Sequence, residues 1–401
     1  MGERNKRILM EQLQLPKNKL CADCNAESPE WASSNIGVFI CVNCSGIHRM
    51  LGTHISRVKS CRLDQWTDEQ VQFMCDNGNE CINAQLEVYM PVYYQKPRPS
   101  DPQVYKEHFI HSKYDRKEFI SEGGTSHYEK GAKDGFLWKR GKDGKQFKLR
   151  RFVLNAEEGT LKYYVKPEGK EPKQTINLAS LTASLVPDKI NHAHGFQLAF
   201  MTENLTRQIY LYAEEAKDAV DWFIELRASS MHLIKKNNPN ITDCEIIKKL
   251  NNYQVKQGWM LKTGPKHTEP YRKRWFTLEN RRLLYFVNPL DAYPRGEIYL
   301  GSRSNGFMVR DGLPAGQQEY GFGITITTPD RDYLMCCEDK EDQKAWIAEI
   351  KAIMTRPLNS QENEEFTEHA LTYHQRRKTT VRYNLTTPAG WRSSVGEFSS
   401  K

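Results

Sequence analysis

Four cysteines near the N-terminus constrain the fold more than any other feature of this sequence. They form two close pairs, Cys21 with Cys24 and Cys41 with Cys44, separated by sixteen residues. Two residues between the members of each pair let a tight turn direct both thiolates at one point, and four thiolates can surround one tetrahedral zinc ion. Because such a site has no open coordination position, we expect one structural Zn²⁺ rather than a catalytic one. Two disulfides, or four unliganded thiols, are the alternative.

The other cysteines do not form the pattern of a secreted disulfide framework. They are scattered, at Cys61, Cys75, Cys81, Cys244, Cys336 and Cys337. The N-terminus lacks the apolar run of a signal peptide, and no stretch reaches the roughly 20 apolar residues of a membrane span. We therefore expect a cytosolic or nuclear protein. Its formal net charge of +8 favours acidic partners, either nucleic acid or an anionic membrane surface.

The N-terminal third reads as short helices around the cysteine segment. Apolar spacing predicts a helix over residues 4–15 that ends at Pro16, and a second helix over Asp68–Asp76 ended by Asn77-Gly78 as a left-handed cap. The run Gly37–Ile40 predicts a strand or a core segment beside the metal. A charged helical stretch is expected from Ser100, as its N-cap, to Phe119.

Beyond about residue 131 the sequence repeats itself. Four motifs recur in the same order at offsets of 122 to 124 residues. The matched segments are Gly135–Lys139 with Gly258–Lys262, Arg150–Leu154 with Lys273–Leu278, Leu161–Tyr164 with Leu283–Phe286, and Asp221–Phe223 with Ala345–Ile347. In this alignment Arg151 corresponds to Arg274. The long period excludes a solenoid and indicates a duplicated domain of roughly 100 to 120 residues.

Both copies follow one plan. Short aromatic and β-branched runs predict antiparallel strands, and a single helix closes each copy, over Glu214–Ile234 and Asp339–Ile353. We interpret Trp222 and Trp346, in those helices, as core residues that plug a curled sheet or partial barrel. The predicted fold class is therefore multidomain α+β. The expected boundaries are 4–120 for the zinc module, 121–131 for a linker, 132–234 and 255–356 for the two copies, 235–254 for a second linker, and 357–401 for a polar, disordered tail.

Basic residues recur at matched positions of the two copies. A lysine ends the first strand, a basic cluster opens the second, and a tyrosine and a further cation follow. The candidate residues are Lys139, Lys148, Arg150, Arg151, Tyr163 and Lys173 in the first copy, and Lys262, Arg272, Lys273, Arg274, Tyr285 and Arg295 in the second. Several cations and a phenol around one cup suit a multiply phosphorylated headgroup. A solvated basic loop is the alternative.

These residues resemble the phosphoinositide-binding subset of pleckstrin homology (PH) domains. That resemblance implies a preference for 3-phosphorylated lipids such as phosphatidylinositol 3,4,5-trisphosphate. In the first copy it implies phosphate contacts for Lys139, Arg151 and Tyr163. In the second copy it implies the same role for Lys262, Arg272, Arg274 and Tyr285. The first copy departs from the pattern, because Leu149 stands at the leading basic position and Lys148 lies one residue early.

Arg49 follows the last cysteine on what we expect to be a helix rooted at the metal. A rigidly held guanidinium suits insertion into the active site of another protein, although a surface arginine is the simpler interpretation of spacing alone. The segment from Trp31 to Asp64 resembles the ArfGAP domain, whose members stimulate GTP hydrolysis on Arf small GTPases. That resemblance implies that Cys21, Cys24, Cys41 and Cys44 bind zinc and that Arg49 is catalytic. It assigns Trp31, Ile36 and Asp64 to support or interface positions, and His48 and His54 are left out of the metal site.

The order of the modules resembles the ArfGAP with dual PH domains family, the centaurin-alpha proteins. It implies a protein that activates a GTPase and is not itself an enzyme. It also implies a cytoplasmic protein that is recruited peripherally to the plasma membrane, and a nuclear location is a second possibility. A non-catalytic phosphoinositide adaptor is the alternative. We do not expect nucleic acid to be a partner, because the helix after Cys44 carries too few base-reading or phosphate-binding side chains.

Overall fold

In the computed structural model, the chain divides into two units near residue 254. The first unit comprises Met1–Tyr253 and Leu290–Tyr293, and the second comprises Gln254–Pro289 and Pro294–Lys401. The structure describes residues 2–141, 144, 146–202, 205–250, 254–264, 269–317, 320–358 and 362. The predicted tail, apart from residues 357, 358 and 362, therefore lies outside the described residues. Among the described helices, none combines the length and the apolar character needed to cross a bilayer.

The N-terminal module consists of short helices around a three-stranded antiparallel sheet of strand order β2-β1-β3. Its strands are β1 (Trp31–Ser33), β2 (Val38–Ile40) and β3 (Val58–Ser60). Its helices are α1 (Gly2–Gln14), α2 (Val42–Met50), α3 (Asp68–Asp76), α4 (Asn79–Leu86) and α5 (Gln103–Ile110). The predicted N-terminal helix is confirmed. The run before Cys41 forms β2 and is also fully buried, so both parts of that prediction hold.

Two helix ends differ from the sequence-based predictions. Helix α3 has the predicted bounds and begins at a Thr67 capping box, but Gly78 has φ 93° and ψ 173°, outside the left-handed helical region. Gly78 instead precedes α4 as its N-cap residue. The helix expected from Ser100 begins after Pro102, which lacks a backbone N–H and suits a helix start. It gives way to a π-helical turn at His111–Asp115 and does not reach Phe119.

Each repeated domain is a seven-stranded antiparallel sheet followed by a helix. The first contains β4 (Ala132–Arg140), β5 (Phe147–Asn155), β6 (Thr160–Tyr164), β7 (Gln174–Asn177), β8 (Thr182–Leu185), the short helix α6 (Pro187–Ile190), β9 (Gly195–Thr202), β10 (Leu205–Tyr212), α7 (Ala216–Asn237) and α8 (Asp243–Leu250). The second contains β11 (Gln254–Lys262), β12 (Arg272–Glu279), β13 (Arg282–Phe286), β14 (Gly296–Tyr299), β15 (Met308–Asp311), β16 (Phe322–Thr327), β17 (Asp332–Cys337) and α9 (Lys340–Thr355). The strand orders, β7-β6-β5-β4-β10-β9-β8 and β14-β13-β12-β11-β17-β16-β15, are identical in plan.

The repeated tryptophans are core residues, as predicted. Trp222 and Trp346 are 3% and 0% exposed. Each indole lies against a glycine of the first strand, because a Cβ atom on Gly135 would be 3.3 Å from Trp222 and one on Gly258 would be 3.6 Å from Trp346. The glycine that opens each repeat therefore admits the helix close to the sheet.

Among the described residues, parts of both segments predicted as linkers pack into the first unit. Within residues 121–131, Tyr128 is buried and its hydroxyl donates to Asp221 Oδ1 of α7 at 2.9 Å. Within residues 235–254, α8 buries Ile246 completely. Tyr105 of α5 also packs edge-on against Phe223 of α7, with ring centroids 5.6 Å apart. The zinc module and the first repeated domain consequently share one hydrophobic core.

Candidate functional site

The four predicted zinc ligands come together in the structure. The sulfur atoms of Cys21, Cys24, Cys41 and Cys44 all lie within 4.8 Å of one another, and these cysteines are not in disulfides. Tetrahedral zinc with bonds of about 2.3 Å separates its sulfur ligands by about 3.8 Å, and the Cys24 and Cys41 sulfurs are 3.6 Å apart. The cluster is therefore close to the size that a single zinc ion requires.

Backbone geometry aims these cysteines. After the first pair, Asn25 adopts a positive φ of 58° and its N–H donates to the Cys21 carbonyl at 3.1 Å, which closes the turn. Cys41 is the N-cap of α2, and its sulfur accepts a hydrogen bond from the Cys44 N–H at 3.5 Å. The Cys41 N–H donates to the Cys21 sulfur at 3.3 Å. Backbone donors and a helix N-terminus both favour the thiolate, which is the form that binds metal.

Arg49 lies in the last turn of α2 and is exposed. Its Nη1 donates to Ser45 Oγ at 3.3 Å, one turn earlier in the helix. Its guanidinium carbon lies 4.5 Å from the ring centroid of Trp31 in β1. A cation–π contact at an exposed site stabilises by about 0.5–1 kcal/mol, which is enough to favour one orientation of a long side chain. The predicted supporting residue Trp31 therefore holds the predicted catalytic residue.

A buried polar network connects helix α2 to the turn that carries Cys21 and Cys24. His48, which is fully buried, places Nε2 at 3.0 Å from Asp23 Oδ2 and Nδ1 at 2.8 Å from Ser56 Oγ. Asp23 Oδ1 accepts hydrogen bonds from Lys113 Nζ at 3.3 Å and from the Tyr114 hydroxyl at 2.8 Å. Burial alone would raise the pKa of Asp23, but the Lys113 ammonium and His48 together hold it below its ordinary value. The carboxylate thus stays ionised and links the first cysteine pair to the helix.

The remaining predicted positions of this module have local structural contacts. Ile36 is half-buried against the core. Asp64 Oδ2 accepts a hydrogen bond from the Ser60 N–H at 2.6 Å and so stabilises the turn after β3. Neither His48 nor His54 belongs to the cysteine cluster.

The second repeated domain has an open pocket of about 390 Å³ at the end of the β11–β12 hairpin. Five of its six predicted residues line the pocket: Lys262, Arg272, Arg274, Tyr285 and Arg295. Lys262 is buried, donates from Nζ to the Thr263 carbonyl at 2.7 Å, and lies 4.9 Å from the ring centroid of Tyr285. Burial, then the charges of Arg331 and Arg274, lower the pKa of Lys262 to about 8. A phosphate in the pocket would offset this repulsion among cations.

The first repeated domain places its cations in the same arrangement. Across the β4–β5 hairpin, Lys139 is opposite Lys148 and Leu137 is opposite Arg150. Directly opposed residues of antiparallel strands project from the same face of the sheet, and the buried Leu137 marks that face as the inner one. Lys139 Nζ lies 5.3 Å from the ring centroid of Tyr163 on this face.

The hairpin of the second domain has the same register at its open end. Lys262 is opposite Arg272, and Met260, which is buried, is opposite Arg274. After the third strand, the N–H of Lys173 donates to the Tyr163 carbonyl and the N–H of Arg295 to the Tyr285 carbonyl, both at 2.8 Å. The two domains therefore hold equivalent sets of three cations, a tyrosine and a following cation.

The sequence alignment of Arg151 with Arg274 is wrong by one residue. Arg150 is the structural counterpart of Arg274, because eight residues separate Lys139 from Lys148 whereas nine separate Lys262 from Arg272. A shift of one residue moves a strand side chain to the opposite face of the sheet. Lys148 is consequently in register with Arg272, and the apparent departure of the first copy disappears.

Two predicted residues therefore lie outside the cation sets. Arg151 projects from the outer face, where its Nε donates to Asp134 Oδ1 at 2.9 Å. Lys273 also projects from the outer face of its hairpin and pairs with Glu338 at 2.7 Å. The structure does not bring either residue to the inner face with Lys139 or Lys262.

Comparisons with known proteins agree with this architecture. A family model described as "Putative GTPase activating protein for Arf" matches residues 6–123, and the "PH domain" model matches residues 132–231 and 254–355. Arf-GAP with dual PH domain-containing protein 2 of Rattus norvegicus is 45% identical over 363 residues, which cover 89% of this chain and 96% of the relative. The chain belongs to the family of Arf-GAPs with dual PH domains.

Two further relatives differ in how much of the chain they match. The Homo sapiens Arf-GAP with dual PH domain-containing protein 2 is 43% identical over 362 residues, covering 89% of this chain and 94% of the relative. Stromal membrane-associated protein 1 of Mus musculus is 50% identical over 126 residues, which cover 31% of this chain and 28% of that protein. The predicted fold class, an ArfGAP zinc module followed by two PH domains, is confirmed.

In this Arf-GAP with dual PH domains, sequence reasoning missed the polar network around His48. The signals were present in the motif itself, because Asp23 lies inside the first cysteine pair and His48 immediately precedes Arg49. Their burial, and the contact of Asp23 with Lys113, which is distant in sequence, could not be read from spacing. Breaking one partner of a buried charged pair typically costs about 3–5 kcal/mol, so the network is a substantial restraint on α2.

Proposed function

We propose that this protein stimulates GTP hydrolysis by an Arf-family small GTPase and that Arg49 is the residue inserted into the GTPase active site. Membership of the Arf-GAP family supports the activity. The observation that carries the role of Arg49 is its position: an exposed guanidinium, stacked on Trp31, lies in the last turn of the helix whose N-cap is Cys41. An arginine supplied in trans accelerates GTP hydrolysis by about 10³ to 10⁵.

The surface around Arg49 is suited to contact with another protein. Val42 and Met50, on the same helix, are 66% and 62% exposed. Large apolar side chains at the surface gain free energy when a partner covers them. We propose that a GTPase docks here, with Ile36 and Asp64 supporting this surface from below.

The proposed cofactor is one structural Zn²⁺ held by Cys21, Cys24, Cys41 and Cys44. When bound, the ion would stabilise the fold of the module and would not take part in hydrolysis. Arg49 then performs the chemistry, because its guanidinium can neutralise the charge that develops on the transferring phosphoryl group. Asp23 lies in the turn between Cys21 and Cys24, and its contact with His48 holds the helical residue that immediately precedes Arg49.

The two PH domains are proposed to recruit the protein to membranes by binding phosphoinositide headgroups. The cation sets of both domains support this, with Lys139, Lys148, Arg150, Tyr163 and Lys173 forming the first set. The pocket with Lys262, Arg272, Arg274, Tyr285 and Arg295 forms the second. Two weak sites on one chain increase the overall affinity through effective concentration. We propose phosphatidylinositol 3,4,5-trisphosphate as the preferred lipid. The proposed location is the cytoplasmic face of the plasma membrane, and a nuclear location is the alternative.

Single-turnover GTP hydrolysis tests the proposal. Arf proteins loaded with GTP are mixed with the protein on vesicles containing phosphatidylinositol 3,4,5-trisphosphate. Arg49→Ala is expected to lower the stimulated rate by about 10³-fold while vesicle binding is retained, and Arg49→Lys is expected to restore little. Arg7→Ala is the matched control, because Arg7 is exposed on α1 and pairs only with Glu11 at 3.8 Å in the described contacts.

Full stimulation by the Arg49→Ala variant would remove Arg49 from the mechanism. If the unsubstituted protein binds the vesicles but stimulates no Arf protein, the chain is a phosphoinositide adaptor instead.

A further inference from the structure

One acidic side chain lies among the cations of the second PH pocket. Glu269 lines the pocket together with Lys262, Arg272 and Arg274. Its carboxylate packs directly over Gly264, since a Cβ atom placed on Gly264 would lie 1.7 Å from Oε2 and 3.0 Å from Oε1. Any larger residue at position 264 would displace the carboxylate. The pocket wall is therefore shaped to receive it.

The charge of Glu269 acts on the phosphate-binding cations. Burial, Arg331 and Arg274 lower the pKa of Lys262, and the nearby carboxylate of Glu269 opposes that shift. A phosphomonoester group brings about −1.5 to −2 charges at neutral pH. A phosphate on the hairpin side of the pocket would thus be repelled by the carboxylate of Glu269. That carboxylate also neutralises part of the positive charge that would otherwise attract the phosphate.

The corresponding turn of the first PH domain has a different charge. Residues 140–147 read Arg-Gly-Lys-Asp-Gly-Lys-Gln-Phe, with three basic residues and one acidic residue. Residues 263–271 of the second domain read Thr-Gly-Pro-Lys-His-Thr-Glu-Pro-Tyr, with one of each when histidine is neutral. The formal charge is therefore +2 in the first turn and 0 in the second. The cation sets of the two domains are equivalent, and the charge of the turn is one difference between the domains.

We infer that Glu269 is a specificity-determining residue of the second PH domain. It lowers the affinity of this domain for headgroups that carry a phosphate on the side of the β11–β12 turn, so the carboxylate weakens, without reversing, the preference of this domain for phosphatidylinositol 3,4,5-trisphosphate over less phosphorylated headgroups. The inference rests on the proposed phosphoinositide function and adds a headgroup preference to it.

The test uses the full chain with Arg150→Ala, which weakens the first PH domain so that the second dominates the signal. Calorimetry with soluble inositol 1,3,4,5-tetrakisphosphate and inositol 1,4,5-trisphosphate compares this protein with its Glu269→Gln derivative. We expect about tenfold tighter binding of the tetrakisphosphate in the derivative and a smaller gain for the trisphosphate. Glu338→Gln is the matched control, because Glu338 is an exposed acid that pairs with Lys273 on the outer face, and it should leave both affinities unchanged.

A second arm identifies the source of the headgroup. Vesicles containing phosphatidylinositol 3,4,5-trisphosphate or phosphatidylinositol 4,5-bisphosphate replace the soluble probes. A gain in both arms supports the inference for a lipid headgroup, and a gain with the soluble probe alone supports it for a free inositol phosphate.

Two results would overturn the inference, and they are distinguishable. If the Arg150→Ala protein binds the tetrakisphosphate and Glu269→Gln leaves its affinity equal or lower, the carboxylate does not oppose the phosphate, while the proposed function stands. If neither protein binds any probe or vesicle although both are folded by circular dichroism, the second PH domain is not a phosphoinositide site, and both proposals fail for this domain.

Discussion

Two neighbouring arginines allow a direct test of the register in the first PH domain. Arg150 and Arg151 have the same chemistry and adjacent positions on β5, but they project from opposite faces of the sheet. Arg150 shares the inner face with Lys139 and Lys148, whereas Arg151 pairs with Asp134 on the outer face. Replacing each in turn by alanine therefore removes the same charge from two sides of one strand.

The expected magnitudes differ widely. A hydrogen bond to a charged group contributes about 1.5–3 kcal/mol, and 1.4 kcal/mol corresponds to a factor of ten in affinity. Loss of one such bond from Arg150 to a phosphate should weaken headgroup binding by about 10- to 100-fold. Arg151→Ala removes an exposed ion pair that solvent screens, so it should leave headgroup affinity within about twofold.

The assay measures binding of the full chain to vesicles containing phosphatidylinositol 3,4,5-trisphosphate. Arg274→Ala is present throughout, so that the second PH domain contributes little. Thermal melting of each variant checks that the fold is retained. An equal loss of affinity for Arg150→Ala and Arg151→Ala, or a larger loss for Arg151→Ala, would refute the register argument and restore the alignment drawn from the sequence.

Further predictions concern pH, the arginine and the metal. Because the pKa of Lys262 is about 8, headgroup binding by the second PH domain should weaken as the pH rises from 7 to 9, and Lys262→Arg should remove this dependence in calorimetry. Burial lowers the pKa of His108 to about 3, below its unfolded value of about 6.5. The unfolded chain therefore binds more protons below pH 6.5, and urea denaturation should show stability falling there by up to about 1.4 kcal/mol per pH unit more than in His108→Gln. Trp31→Ala should lower the stimulated rate of GTP hydrolysis about two- to fivefold without changing vesicle binding, and Trp31→Phe should recover most of it; an unchanged rate in Trp31→Ala would contradict the stacking role. Chelation of zinc should reduce the helical circular dichroism of the N-terminal module, and an unchanged spectrum would argue against a structural metal.

Local patterns were reliable where neighbouring residues alone decide the conformation. Two cysteine pairs with two-residue spacers predicted the sulfur cluster, because the turn that each pair needs involves only adjacent residues. Helix α3 was predicted at its observed bounds, since its apolar spacing and polar ends lie within one segment. The helix expected from Ser100 to Phe119 is present but shorter, because it begins after Pro102 and gives way to a π-helical turn at His111–Asp115.

Strand register and contacts between distant residues could not be predicted from the sequence pattern. The order of the repeats was visible, but their residue-by-residue alignment depends on the lengths of the hairpin turns. Because the first hairpin turn is one residue shorter than the second, the sequence alignment matched Arg274 with Arg151 where the structure matches it with Arg150. Similarly, residues 121–131 have the composition of a linker, yet Tyr128 is buried by α7, which lies about ninety positions later in the chain.

The sequence by itself determined the clustering of the four cysteines and the place of Arg49 in the last turn of the helix that follows them, because each depends on spacing within a short segment. It also determined the duplicated domain and the core tryptophans, because the same motifs recur in the same order. The tertiary structure decided which side chains share a face. Strand register placed Arg150 inside and Arg151 outside, and packing brought Lys113 to Asp23 and Glu269 into a ring of cations. The physical reason is that strand side chains alternate between faces at every residue, and that buried polar groups find partners in space rather than in sequence.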